Sequence, residues 1–120
     1  MGDLSRHFSR REFACHCGCG YDTVDAALLK VLEDVRRTFN APVTINSGCR
    51  CEKHNAKIGG SEHSQHKLSR AADIAVEGIP AEAVHDWLVS RYPDKFGIGK
   101  YNTFTHIDTR TDGPARWDKT

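Results

Sequence analysis

A chain of 120 residues can bury one core without crosslinks and is too short to divide into two ordinary domains. Its 17 lysines and arginines against 16 aspartates and glutamates leave a net charge of +1, which excludes a strong field for nucleic acid or an anionic membrane surface. A mean hydropathy of −0.57, with no run of about 18 apolar residues, excludes a membrane-spanning helix.

The N-terminal segment, Met1-Gly2-Asp3-Leu4-Ser5-Arg6-His7, lacks the apolar core of a secretory signal, so the chain is expected to be cytoplasmic as synthesised. Ser9 and Glu12 have capping-box spacing and predict a short helical turn, cut off by the glycines of Cys15-His16-Cys17-Gly18-Cys19-Gly20. Asp22 or Thr23 is placed to cap a helix of about four turns, with Leu28, Leu29, Leu32, Val35 and Phe39 on one face and Asn40 and Pro42 at its end. Residues 43–46 read as a short β-branched strand stopped by Ser47-Gly48. Residues 51–58 allow two helical turns, ended by Gly59-Gly60, and a polar loop from Ser61 to Gln65 leads to a strand over 71–76. A third helix is expected over 80–91, with Val84, Trp87, Leu88 and Tyr92 on one side, and Pro93-Asp94 breaks it. Residues 97–101 and 104–109 suggest a hairpin across Asn102-Thr103, and 111–120 a polar, loose tail. There is no repeat, low-complexity run or linker, so residues 1–120 read as a single domain. The order of elements predicts an α+β fold, with helices packed on a small antiparallel sheet.

Asp73 opens the apolar run Ile74-Ala75-Val76. A carboxylate at the mouth of a buried strand is costly to desolvate unless something positive faces it. A divalent cation meets that need, and His66 and His106 are candidate co-ligands. One oxygen and two imidazole nitrogens suit Zn2+ with one position open, the arrangement of a catalytic site at the sheet. Strand periodicity puts His106, Asp108 and Arg110 on one face and Thr105 and Ile107 on the other. Asp108 is then either the orienter of His106 or a general base. A solvent-facing ladder of polar side chains fits the same spacing. Arg50, at a strand end beside glycine, is placed to present its guanidinium to a carboxylate.

Ser64 reads as a hydrogen-bonding partner of the ligand loop, not as a nucleophile. Trp87 falls on an apolar helix face and reads as core; Trp117 has no evident assignment. The five cysteines are an odd number. Cys15, Cys17 and Cys19 alternate, as do Cys49 and Cys51. A structural zinc, a disulfide between the clusters and reduced thiols in a tight loop all fit. The one-residue gaps are tighter than the usual metal knuckle.

Taken together, Ser47-Gly48-Cys49-Arg50-Cys51, His54-Asn55, Gly59-Gly60, Ser64-x-His66, Ala71-Ala72-Asp73, Gly97-Ile98-Gly99-x-Tyr101 and Phe104-Thr105-His106-Ile107-Asp108-Thr109-Arg110 form an ordered set. It resembles the zinc D-Ala-D-Ala carboxypeptidases and murein endopeptidases, a family that includes phage endolysins, and covers the chain from about Phe8 to Trp117. The resemblance implies that His66, Asp73 and His106 hold Zn2+ and that Arg50 acts in catalysis by holding a substrate carboxylate or the developing oxyanion; Asp108 is assigned to catalysis on strand geometry, and Ser64 and Tyr101 join Arg50 as expected substrate contacts. It implies a monomer that hydrolyses an amide bond of a peptidoglycan stem peptide containing a D-amino acid by attack of a metal-activated water. A cytoplasmic chain of this kind would reach the wall after release through a phage holin.

Three positions depart from the pattern. Ser69 stands where glycine is common and Cys49 where an aromatic residue is frequent. Thr103 stands three residues before the last histidine, where several members carry an acid. That leaves Asp108, Glu62 and His63 as candidate bases. It also admits a non-catalytic, zinc-stabilised module that binds cell wall or protein, and the cysteines separately admit a thiol-rich redox or metal-handling domain.

Overall fold

A computed structural model of the chain describes residues 4–20, 22–60 and 64–120. Phe8 and Phe13 bury their rings at the start of the chain, and Phe13 ends a 3₁₀ turn, Arg10–Phe13. The Glu12 carboxylate accepts from the Ser9 N–H, as the capping spacing predicts. The first long helix, α1 (Ala26–Phe39), is capped by Asp25 and not by Asp22 or Thr23. Its Oδ2 accepts from the Leu28 N–H at 3.3 Å and from the Thr109 hydroxyl at 2.9 Å, and its own N–H donates to Ser69 O. Partners distant in sequence thus decide where α1 begins. Asn40 ends it in the left-handed conformation, φ 49°.

The remaining elements are β1 (Val43–Ser47), α2 (Glu52–Lys57), β2 (Ala71–Val76), α3 (Ala81–Arg91), β3 (Gly97–Lys100), β4 (Thr105–Asp108) and β5 (Ala115–Asp118). The fold is α+β, and the expected hairpin is the β3–β4 pair. The strands lie in the order β1-β2-β4-β3-β5. Two expectations are corrected at the C-terminal end. Residues 115–118 are a strand rather than loose tail, and β5 runs parallel to β3, so the sheet is mixed. Arg116 and Trp117 explain both. The Arg116 guanidinium donates to the carbonyls of Tyr92, Lys95 and Phe96, and the Trp117 indole lies on Gly99, where a side chain would collide with it.

Leu28, Leu32 and Val35 of α1 and Leu88 of α3 are buried in one core with Ile74, Ile98 and Ile107 from the sheet. Each such side chain contributes about 1.5–3 kcal/mol on burial. Thr105 shares the Ile107 side of β4, where its hydroxyl donates to Ala81 O at the start of α3. Strand alternation therefore sends His106 and Asp108 to the opposite face. Register completes the placement: Asp73 pairs with His106 across β2–β4, and His106 with Gly99 across β4–β3. An irregularity in β1 between Ile45 and Ser47 sets Ser47 opposite Asp73, so the chain leaving β1 passes over the same face. Among the described residues no helix is long and apolar enough to cross a membrane.

Candidate metal centre and its cleft

Ser64 caps the 3₁₀ turn Gln65–Leu68 by accepting from the His66 N–H, and Ser69 closes it with a φ of 60°. That turn delivers His66 to the strands carrying Asp73 and His106. His66 Nε2 is 3.3 Å from Asp73 Oδ2 and His106 Nδ1 is 3.0 Å from Asp73 Oδ1. The three side chains offer ligand atoms that all lie within 4.8 Å of one another, and all three are buried.

The far side of each imidazole is tied down. His66 Nδ1 lies 2.6 Å from the Gly48 carbonyl, an acceptor only, so Nδ1 carries the proton and the Nε2 lone pair points inward. Gly48 cannot carry a side chain, because a Cβ would lie 2.6 Å from the Phe13 Cα. His106 Nε2 lies 2.7 Å from Asp108 Oδ2, which leaves Nδ1 facing Asp73. Two nitrogens and one carboxylate oxygen converge, each ring fixed by an outer acceptor. That donor set fits zinc, and the outer acceptors are the supports such ligands use.

Charge follows the same geometry. Burial pushes the Asp73 carboxyl up, but the adjoining His106 and His66 imidazoles outweigh it and hold Asp73 well below the usual carboxylate range. Burial pushes the His106 imidazole down, and Asp108 and Asp73 more than reverse this, so it titrates above an ordinary histidine. Asp108 is also far below its ordinary value, because Arg110 and His106 outweigh its burial.

Asp108 does not line the cleft. Its fully buried carboxylate accepts from the Gly97 and Arg110 N–H groups, from Arg110 Nε at 2.8 Å and Nη2 at 2.7 Å, and from His106. A Cβ on Gly97 would lie 2.3 Å from Asp108 Oδ2, so this pair needs glycine opposite it. Of the two roles the strand pattern offers Asp108, this is the geometry of the orienter. Thr103 is exposed in the β3–β4 turn, and Glu62 and His63 lie outside the described residues.

Arg50 follows β1 and is anchored on every side. Its N–H donates to His66 O, and its guanidinium donates to Ser47 Oγ at 3.2 Å, Asn55 Oδ1 at 3.3 Å and Asp73 Oδ2 at 3.4 Å. It lines a cleft of about 700 Å³ with the three metal-ligand candidates, Ser64, Gln65, Tyr101, Trp117 and Lys119. Tyr101 stacks on Phe104 with ring centroids 4.3 Å apart, and its hydroxyl accepts from Trp117 Nε1 at 3.0 Å. The Trp117 ring stands 4.9 Å from that of His106, and the Arg110 guanidinium lies 5.5 Å from its centroid.

The sequence-derived set of His66, Asp73, His106, Arg50, Ser64 and Tyr101 is thus gathered at one cleft, with Asp108 behind it. Gln65 and Trp117 were not anticipated there. Gln65 lines the cleft, and its Oε1 is buried without a hydrogen-bond partner among the described residues. The one hint of Trp117 in the sequence is the missing side chain at Gly99. Trp87 is half-buried against the core, edge-on to Phe39, as its helix position predicts.

A family model described as Peptidase M15 matches residues 6–108. No curated protein matches the chain.

Proposed function

The chain belongs to the M15 peptidase family, and from that premise we propose that it is a zinc peptidase cutting a peptidoglycan stem peptide at an amide bond involving a D-amino acid. The observation that carries this reading is the convergence of His66, Asp73 and His106 on the floor of an open cleft beside Arg50. Zinc held there would supply Lewis-acid polarisation of the scissile carbonyl and acidify a water molecule.

The protein's own groups do the rest. Asp108 holds the proton on His106 Nε2 and keeps Nδ1 turned to the site, so it is a positioning residue rather than the base. Arg110 keeps Asp108 ionised. Arg50 offers its guanidinium to a stem-peptide carboxylate or to the developing oxyanion. Its ties to Ser47, Asn55 and Asp73 fix its plane before substrate arrives. Tyr101 and Trp117 form an aromatic wall for the small apolar side chains of the peptide.

Digestion of purified sacculi tests this. Wild-type protein with zinc releases new stem-peptide fragments and His106→Ala does not; equal release by both, or none by wild type on several wall chemotypes, refutes it. A second reading, a module that grips the wall without cutting it, is favoured by one observation. Among the described residues Asp73 is the sole carboxylate lining the cleft. Protein that pellets with sacculi and releases nothing would support that reading.

A further inference from the structure

The cysteines form a second cluster whose geometry the peptidase reading does not use. Cys15 Sγ lies 3.4 Å from Cys17 Sγ and 3.8 Å from Cys51 Sγ, and Cys17 and Cys51 are 3.6 Å apart. Cys19 completes the group, with all four sulfurs within 4.8 Å of one another. A tetrahedral zinc with Zn–S bonds of about 2.3 Å has sulfur–sulfur edges of about 3.8 Å. The cluster therefore has nearly the dimensions of that tetrahedron.

Packing does not account for it. Cys17 and Cys19 are exposed, so burial is not what draws them inward. Backbone groups are aimed at the sulfurs: the Cys51 N–H donates to Cys15 Sγ and the His54 N–H to Cys51 Sγ, each at 3.4 Å. Such bonds favour the thiolate form that binds metal. Gly18, at φ 80°, lets the loop reverse between Cys17 and Cys19 across a gap tighter than a usual knuckle, and Gly20 follows Cys19 at φ 88°. Cys49, despite alternating with Cys51, donates its thiol to Phe13 O at 3.0 Å and stands outside the group. The odd count resolves into four and one.

We propose that Cys15, Cys17, Cys19 and Cys51 bind a structural zinc ion as a closed tetrathiolate site, distinct from the His66–Asp73–His106 centre. Four sulfurs leave no position for substrate, and thiolate donors select zinc over calcium or magnesium. Binding releases the thiol protons to solvent and involves no redox change. The ion joins the 15–20 loop to the first turn of α2, whose cap is Cys51 and whose Asn55 meets the Arg50 guanidinium.

The experiment is metal counting by native mass spectrometry with zinc-edge X-ray absorption on the full chain, purified reduced and supplied with zinc. Wild type should carry two zinc ions with a mixed sulfur and nitrogen/oxygen shell. The His66→Ala/His106→Ala variant should keep one, surrounded by four sulfurs at about 2.3 Å. Cys19→Ser should weaken that ion, while Cys49→Ser should leave the count at two. A single ion with nitrogen/oxygen ligands alone, or an intact mass showing two of these four cysteines joined as a disulfide, would overturn the proposal. Should the histidine variant not fold, the sulfur fraction of the wild-type shell decides: about half supports two sites, near zero removes the second.

Discussion

The histidine–aspartate centre and the cysteine cluster gather donors of similar reach by opposite means. Asp73 and His106 stand on paired strands, and His66 arrives on a turn pinned by Ser64 and the Gly48 carbonyl. Behind them the buried Asp108 carboxylate accepts from Gly97 and from the partly exposed Arg110. The sulfurs come from a glycine-punctuated loop and a helix cap, held by two N–H···S bonds and one another. Ordering a loop costs about 1–2 kcal/mol per residue in backbone entropy. The sheet-borne centre is shaped by the fold, whereas the loop-borne cluster would rely on the proposed ion to hold its shape.

The hardest test of that contrast is Asp108→Ala. It removes a fully buried carboxylate shared by Arg110 and the buried His106, and should cost about 3–5 kcal/mol in urea denaturation. Asp108→Asn, milder in shape, should lower zinc affinity at the histidine centre by about 10–100-fold, read by competition with a chelating dye. Because the folded Asp108 titrates below its ordinary value, its stabilisation is complete above the unfolded pKa of about 3.9 and is lost as pH falls towards the folded value. The stability gap between wild type and Asp108→Asn should therefore narrow below about pH 4 as Asp108 protonates, and narrow again as pH rises from the unfolded histidine value of about 6.5 through the raised His106 pKa, because Asp108 helps to raise it. A gap that stays level as pH rises through neutrality would mean another group holds His106.

Next in size is Gly99→Ala, whose Cβ would meet the Trp117 indole at 2.4–2.8 Å. Overpacking of this kind costs about 1–3 kcal/mol, seen as a lowered melting temperature, and pushes the indole off His106. Chelation then addresses the loop side. Amides at 15–20 should exchange with deuterium more than about tenfold faster, an opening made easier by about 1.4 kcal/mol, while those of β2 and β4 stay protected. Equal loosening of both regions would erase the contrast. Smallest is Ser64→Ala, which removes a cap at a cost of about 1 kcal/mol and should weaken zinc binding at the histidine centre without touching the cysteine ion.

Much of this was legible in the chain because it depends on short periods. Alternation along 104–110 separates His106 and Asp108 from Thr105 and Ile107, and the apolar spacing from Leu28 to Val35 marks the buried side of α1. What stayed hidden depends on distant partners. Asp25 outcompetes Asp22 and Thr23 as cap because Thr109 and Ser69 also bind it. The strand at 115–118 looks like polar tail until Gly99 supplies the bare surface its tryptophan covers. The role of Asp108 could not be chosen from spacing alone, since it turns on where the Arg110 fork closes. Likewise, alternation makes Cys49 and Cys51 look equivalent, and only the start of α2 at Glu52 sends one sulfur to the cluster and the other towards Phe13.

The two glycines of β3 bear on how this protein can vary. Neither carries a functional group, yet one yields its volume to the Asp108–Arg110 pair and the other to an indole ring. A saturation screen for activity would find both positions as intolerant as the ligands themselves. Such a map would mark Gly97 and Gly99 as chemical participants, when their contribution is to be empty space.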